Sequence, residues 1–126
     1  MNTEVATNTA SSTAEVIERF NEVFLSHDPS ALAALISPDC IIEKITPAPD
    51  GDQCVGRDEC VALWTEIATA PGAHFDLEDV SVAGERAIIR WRFWRSDAKN
   101  DSVRGVNLMR VRDGLIVEAM GYVKGK

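Results

Sequence analysis

The sequence predicts an α+β domain, with helices segregated from an antiparallel sheet and covering one face of it. Three observations predict this. Apolar residues recur at helical spacing through much of the first half of the chain. After Pro71-Gly72 the period changes to two and stays there. Short turn signals at Gly84-Glu85, Lys99 to Asp101 and Asp113-Gly114 separate the alternating segments, so successive strands pair as hairpins and not through helical crossovers.

Each element follows in order. Residues 1–11 are rich in Asn, Thr, Ala and Ser and are expected as a disordered tail, leaving 12–126 as a single domain. Ser12 to Glu15 has the form of a capping box. Val16, Ile17, Phe20, Val23 and Phe24 then make one apolar stripe on a helix of about residues 13–26. Asp28-Pro29 is a cap followed by a first-turn proline, and Leu32, Leu35 and Ile36 make a second short helix that stops before Pro38. Asp39 to Thr46 reads as a strand, because Ile41, Ile42 and Ile45 are β-branched. Pro47 to Gly51 is a loop. Gly56 to Glu59 opens a third helix with Cys60, Trp64 and Ile67 as its stripe, ended by Pro71-Gly72. Four strands follow: His74 to Val82, Arg86 to Arg95, Ser102 to Arg112 and Leu115 to Val123.

Composition excludes several function classes. The net charge of −7 is a poor basis for binding nucleic acid or anionic membrane, since both need clustered Lys and Arg, so neither partner is expected. No apolar run approaches the ~18 residues of a membrane span. Met1 to Ala10 has neither the basic start nor the apolar stretch of a secretory signal. Cys40, Cys54 and Cys60 are odd in number, with no CxxC and no paired His spacing. That argues against a metal site or a disulfide framework and points to reduced thiols in a cytoplasmic protein. No cofactor is expected.

The segment Gly105-Val106-Asn107-Leu108-Met109-Arg110-Val111-Arg112-Asp113-Gly114-Leu115-Ile116-Val117-Glu118 resembles the penultimate hairpin of SnoaL-like proteins, and Gly56-Arg57-Asp58 resembles their glycine before the third helix. The likeness extends over about residues 13–124 in the order of elements, to the nuclear-transport-factor-two-like and SnoaL-like superfamily. It implies a cone-shaped curved antiparallel sheet with three helices packed on its concave face, an apolar pocket inside, and dimers through the outer face of the sheet.

Within that superfamily, ketosteroid isomerase aligns with residues 16–45 without a gap. By that resemblance Phe20 stands where the isomerase has an oxyanion-donating tyrosine, Lys44 where it has the aspartate base, and Asn107 where it has a protonated aspartate. The chemistry needs a carboxylate base and two donors aimed at a developing enolate. Phenylalanine donates nothing, lysine is cationic unless desolvated, and asparagine still donates through its amide. Ordinary ketosteroid isomerisation is therefore not expected. SnoaL-type cyclases carry acid/base residues on the last strand, where this chain has Ala119 and Gly121. The Asp–Arg–Asp set of limonene epoxide hydrolases has no counterpart on the inward positions.

Strand parity assigns the faces. With Asn107 inward, Val103, Gly105, Met109 and Val111 are inward too, joined by Val117, Ala119, Gly121 and Val123 and by Ala87, Ile89, Trp91 and Phe93. Asn107 is the one polar side chain in that set. The expected pocket is thus Phe20, Phe24, Ile42, Trp64, Trp91, Phe93, Met109, Ala119, Gly121 and Val123, with Lys44 and Asn107 as the candidate catalytic residues. A bulge in the first strand would exchange Lys44 for Glu43. The outer face collects Arg86, Arg90, Arg92, Arg104, Arg110 and Arg112, and an apolar set of Ile88, Trp94, Val106, Leu108, Ile116, Met120 and Tyr122 that a homodimer would bury. Two functional readings stay open: a small-molecule site, possessing cofactor-free isomerase, cyclase or lyase chemistry or none, and a dimerising scaffold whose cone is filled by side chains.

Overall fold

The computed structural model describes residues 2–125, with side chains from residue 12 onward. Helix α1 (Asn2–Ser26) runs unbroken through Ser12 to Glu15, so that segment is not its start. The tail expected over residues 1–11 lies outside the residues whose side chains are described. Thr13, Val16, Ile17, Phe20, Val23 and Phe24 are buried, a stripe at the spacing that keeps one helical face on the sheet. His27 (φ 57°) ends the helix in the left-handed region, and the Asp28 N–H reaches back to the Val23 carbonyl at 3.0 Å. The imidazole Nδ1 of His27 lies 3.0 Å from the Ala68 carbonyl, tying the end of α1 to the end of α3 (Arg57–Ala68).

Asp28 then caps a 3₁₀ turn (Pro29–Ala31) through Ser30 N–H, with Pro29 at its first position. The turn leads into α2 (Leu32–Leu35). Here the structure corrects the expectation twice. Ile36 belongs to β1 (Ile36–Glu43), not to the short helix, and Pro38 sits inside that strand. Proline is tolerated there because the β1 register breaks between Ile36 and Ile41, leaving a stretch without a regular ladder. A short strand unmarked by any periodicity, β2 (Gln53–Val55), pairs with Ile41 to Glu43.

The remaining strands, β3 (His74–Ala83), β4 (Arg86–Trp94), β5 (Ser102–Arg112) and β6 (Leu115–Val123), form the expected meander. The sheet is six-stranded in the order β2-β1-β6-β5-β4-β3. All pairs are antiparallel except β1 with β6, so the sheet is mixed. That parallel pair joins the first strand to the last, a connection that no local pattern announces. The sheet curves without closing, and α1 and α3 pack into its concave side, against β3 and β1 respectively. The α+β cone is therefore the observed architecture.

The parity of β4 and β5 is as expected: Ala87, Ile89, Trp91, Met109 and Val111 are buried. On β6 it fails for part of the strand. Strand parity places Ile116 outward, yet it is fully buried, because the register slips so that Arg110 faces Glu118 and Val111 faces Ile116. Two residues on one strand then oppose one step on the other, which rotates Ile116 into the core in place of Val117.

The three cysteines meet between β1, β2 and α3. The Cys60 thiol donates to the Cys40 and Cys54 carbonyls at 3.5 and 3.7 Å. Burial pushes the Cys40 and Cys60 thiols upward in pKa, so both stay protonated and poorly nucleophilic.

Candidate functional site

A cavity of about 290 Å³ opens between α1, α3 and the concave sheet. Its wall is a chain of aromatic rings in mostly edge-to-face contact. Trp64 meets Phe20 at 4.7 Å, Phe20 meets Phe24 at 4.9 Å, Phe24 meets Phe75 at 5.5 Å, and Phe75 touches Trp91 and Phe93 at 5.7 and 4.7 Å. Such pairs favour offset or perpendicular rings, so the wall is stiff. Ile42, Leu63, Ile67, Val103, Ala119 and Gly121 complete the interior. Three aliphatic side chains that border the cavity are themselves exposed: Leu25 (44%), Ile45 (38%) and Leu77 (41%). They come from α1, the segment after β1, and β3, and give the mouth an apolar rim.

Of the residues expected at the pocket, Phe20, Phe24, Ile42, Trp64, Trp91, Phe93, Asn107, Ala119 and Gly121 border it, as do Glu43 and Lys44. Met109 does not: it faces inward but is completely buried beneath the wall. Val123 does not either. It is the last residue of β6 and is 38% exposed. Phe75, Leu63, Ile67, Leu25, Leu77, Asn21, Ile45 and Thr46 were not anticipated. Phase was the available signal for Phe75 and Leu77, since they pair with Phe93 and Trp91 across β3 and β4.

Polar groups are few. Asn107 lies on β5 between Ile89 and Gly121, and its Oδ1 accepts from the Trp91 indole Nε1–H at 3.2 Å. The indole reaches it because residue 105 is glycine. A Cβ there would stand 2.7 Å from Trp91 Cη2 and 2.4 Å from the Tyr122 carbonyl oxygen. Gly121 plays a similar part beside Ile45, whose Cγ2 would lie 2.8 Å from an added Cβ. Lys44 follows the last residue of β1, and its N–H bonds the Asp52 carbonyl at 2.8 Å. Among the described residues, neither the Glu43 nor the Lys44 side chain has a hydrogen bond or ion pair. No group of three or more metal-ligating side chains occurs among them either.

This geometry meets a matching family pattern: the model of the SnoaL-like domain matches residues 17–119. The chain belongs to the SnoaL-like domain family. A nuclear-transport-factor-two-like protein of unknown function from Mesorhizobium loti is 61% identical, with a TM-score of 0.88 over 92% of this chain and 93% of that one. More distant structures share the fold alone. A protein of unknown function with a cystatin-like fold from Methylobium petroleophilum is 15% identical (TM-score 0.77, covering 93% of this chain and 78% of that one). A steroid delta-isomerase from Pseudomonas aeruginosa is also 15% identical (TM-score 0.75, 90% and 80%). A search of curated proteins finds no significant match. No helix among the described residues of this SnoaL-like domain is long and apolar enough to cross a membrane.

The opposite face of the sheet carries ion pairs. Arg86 meets Glu118 at 2.7 Å, and Arg104 meets Glu78 at 2.9 Å, holding the Glu78 carboxyl below its ordinary pKa. Trp94 donates to Asp76 at 2.8 Å and stacks on His74. Between these lie Ile88 and Tyr122, 44% and 50% exposed, with Val106, Leu108 and Met120 half-buried.

Proposed function

We propose that this SnoaL-like domain binds a small, largely apolar or weakly acidic molecule in its cone. The observation that carries this is the cavity of about 290 Å³, near the lower end of ligand-site sizes, with an almost wholly apolar wall and few polar groups. Apolar side chains that lose contacts around an empty volume cost stability, and a ligand restores those contacts. Native mass spectrometry and thermal-shift measurements against steroids, polyketides, terpenes and aromatic acids test the reading. The expected result is saturable stabilisation by at least one class. Failure of every class would leave the cone as packing only.

A second reading, cofactor-free isomerase, cyclase or lyase chemistry, is favoured by one observation. Asn107 and a titratable pair, Glu43 and Lys44, border the same volume. Asn107 would polarise a carbonyl while Lys44 or Glu43 moves a proton. Ordinary double-bond isomerisation of an unsaturated ketosteroid is not expected. Phe20 has no hydroxyl, and its surroundings are the rings of Phe24 and Trp64. Spectrophotometric assay should show no turnover above the uncatalysed rate, and clear turnover would refute this assignment of Phe20, Lys44 and Asn107.

The proposed macromolecular partner is a second copy of the chain, docked on the outer face of the sheet. Ile88, Val106, Leu108, Met120 and Tyr122 form the apolar centre, and Arg110 Nε is shut off from solvent without a hydrogen-bond partner among the described residues. An isologous contact covers such a patch at little cost in symmetry. Sedimentation equilibrium at micromolar concentration should give a dimer that Leu108→Glu dissociates. A monomeric unmodified protein refutes the interface, and a dimeric Leu108→Glu variant moves it elsewhere. Three free thiols agree with a cytoplasmic setting.

A further inference from the structure

We infer that the ligand of the cone is longer than the cavity: a compact apolar body with a flexible apolar arm that leaves through the mouth and lies on Leu25, Ile45 and Leu77. This rests on the binding reading above and adds the shape of the molecule that the site takes.

On three separate segments the cavity wall stays apolar as it reaches solvent. On α1 the buried Phe24 is followed by the exposed Leu25. On the β1 side the buried Ile42 is followed by the exposed Ile45, two residues past the end of the strand. On β3 the half-buried Phe75 is followed by the exposed Leu77. Leu77 pairs directly with Trp91, and paired residues share a face, so it stands on the cavity side of the sheet. All six of these side chains border the same volume. A single exposed leucine needs no explanation, because much of any protein surface is apolar. Three aliphatic side chains from separate segments, set around one opening and continuous with its wall, mark a place where something apolar lies.

The ligand itself is the occupant that fits. Asn21, Lys44 and Thr46 also border the cavity and still leave the three aliphatic side chains exposed. A second copy docked on the outer face of the sheet leaves the mouth open, because the cavity lies on the concave side. A net charge of −7 opposes an anionic bilayer. The cavity of about 290 Å³ is small for a ligand site, and its wall of edge-to-face rings holds its width. A molecule confined to that volume would leave the rim in water. A molecule with an arm covers the rim and gains its contacts. A methylene moved fully out of water gains about fourfold in affinity. One that lies on the rim with its far side wet gains about twofold.

A series of 4-n-alkylphenols from ethyl to hexyl tests this, by NMR titration of protein labelled at its Leu and Ile methyl groups. The hexyl member is expected to bind about fifteenfold more tightly than the ethyl member, from four added methylenes at about twofold each. The methyl resonances of Leu25, Ile45 and Leu77 should move further with the hexyl member than with the ethyl member. In the double variant Leu25→Gln/Leu77→Thr the hexyl advantage should fall to about threefold or less. Should that variant fold poorly, the methyl shifts in the unmodified protein decide alone. Equal affinity of the ethyl and hexyl members, an undiminished hexyl advantage in the double variant, or rim methyl groups that do not respond to the hexyl member overturns the inference and leaves the binding reading intact. Binding of no member up to its solubility limit overturns both.

Discussion

Replacing Phe20 with alanine is expected to lower the unfolding free energy by about 3–5 kcal/mol. The side chain is 2% exposed and sits at the junction of the wall, with ring contacts at 4.9 Å to Phe24 and 4.7 Å to Trp64. Truncation removes the transfer energy of a benzyl group and leaves a void that merges with the existing cavity. The void cannot easily collapse, because the stiff neighbouring rings are held by Phe75 on the opposite wall. Urea unfolding followed by circular dichroism measures the loss. A change under about 1 kcal/mol would mean that α1 can move inward and that the wall is softer than its edge-to-face contacts imply. The same variant should admit larger ligands than the unmodified protein, which the thermal-shift panel would read.

The second large effect is expected at a position with no side chain. Gly105→Ala places a Cβ 2.4 Å from the Tyr122 carbonyl oxygen, and that oxygen is backbone, one step in from the last pair of the β5–β6 ladder. Neither strand can yield without shifting the Val106–Tyr122 pairing, and the Trp91 ring above must also move. The expected loss is about 1–3 kcal/mol or more, the range of overpacking in a filled core. Gly121→Ala is the contrast. Its closest contact is Ile45 Cγ2 at 2.8 Å, the end of a side chain that is 38% exposed and free to turn aside. It should cost less. Thermal unfolding of the two variants side by side decides this, and Gly105→Ala should also shift the Trp91 indole N–H resonance. Equal stability of the two would show that β5 and β6 accommodate the methyl group at Gly105 as easily as Ile45 does at Gly121.

Both expectations concern places where local pattern and three-dimensional arrangement meet, and the same division runs through the whole molecule. The apolar stripe from Val16 to Phe24, the alternation in β4 and β5, and the turns at Gly84 and Asp113-Gly114 were legible, because each depends on residues within a turn of helix or a few steps of strand. Those local signals were enough to define an α+β domain and the inward set Ala87, Ile89, Trp91 and Phe93. Resemblance extended them to the cone and to the positions of Asn107 and Lys44.

What the periods could not carry was decided by partners distant in sequence. β1 lies parallel to β6, and β2 exists because Ile41 to Glu43 offers it an edge. The slip after Arg110 turned Ile116 into the core, against its parity. Met109 and Val123 had the inward phase and still fell outside the cavity, one beneath the wall and one beyond its end, because phase gives direction and not depth. The bond from Trp91 to Asn107 joins diagonal neighbours on paired strands, which become neighbours only once the register sets Trp91 opposite Gly105. Sequence alone thus determined which faces are apolar and which side chains could meet a ligand. Tertiary structure decided how Asn107 is oriented and which residues reach the cavity, because hydrogen-bond direction and cavity shape arise only from strand pairing and from helices laid across the sheet.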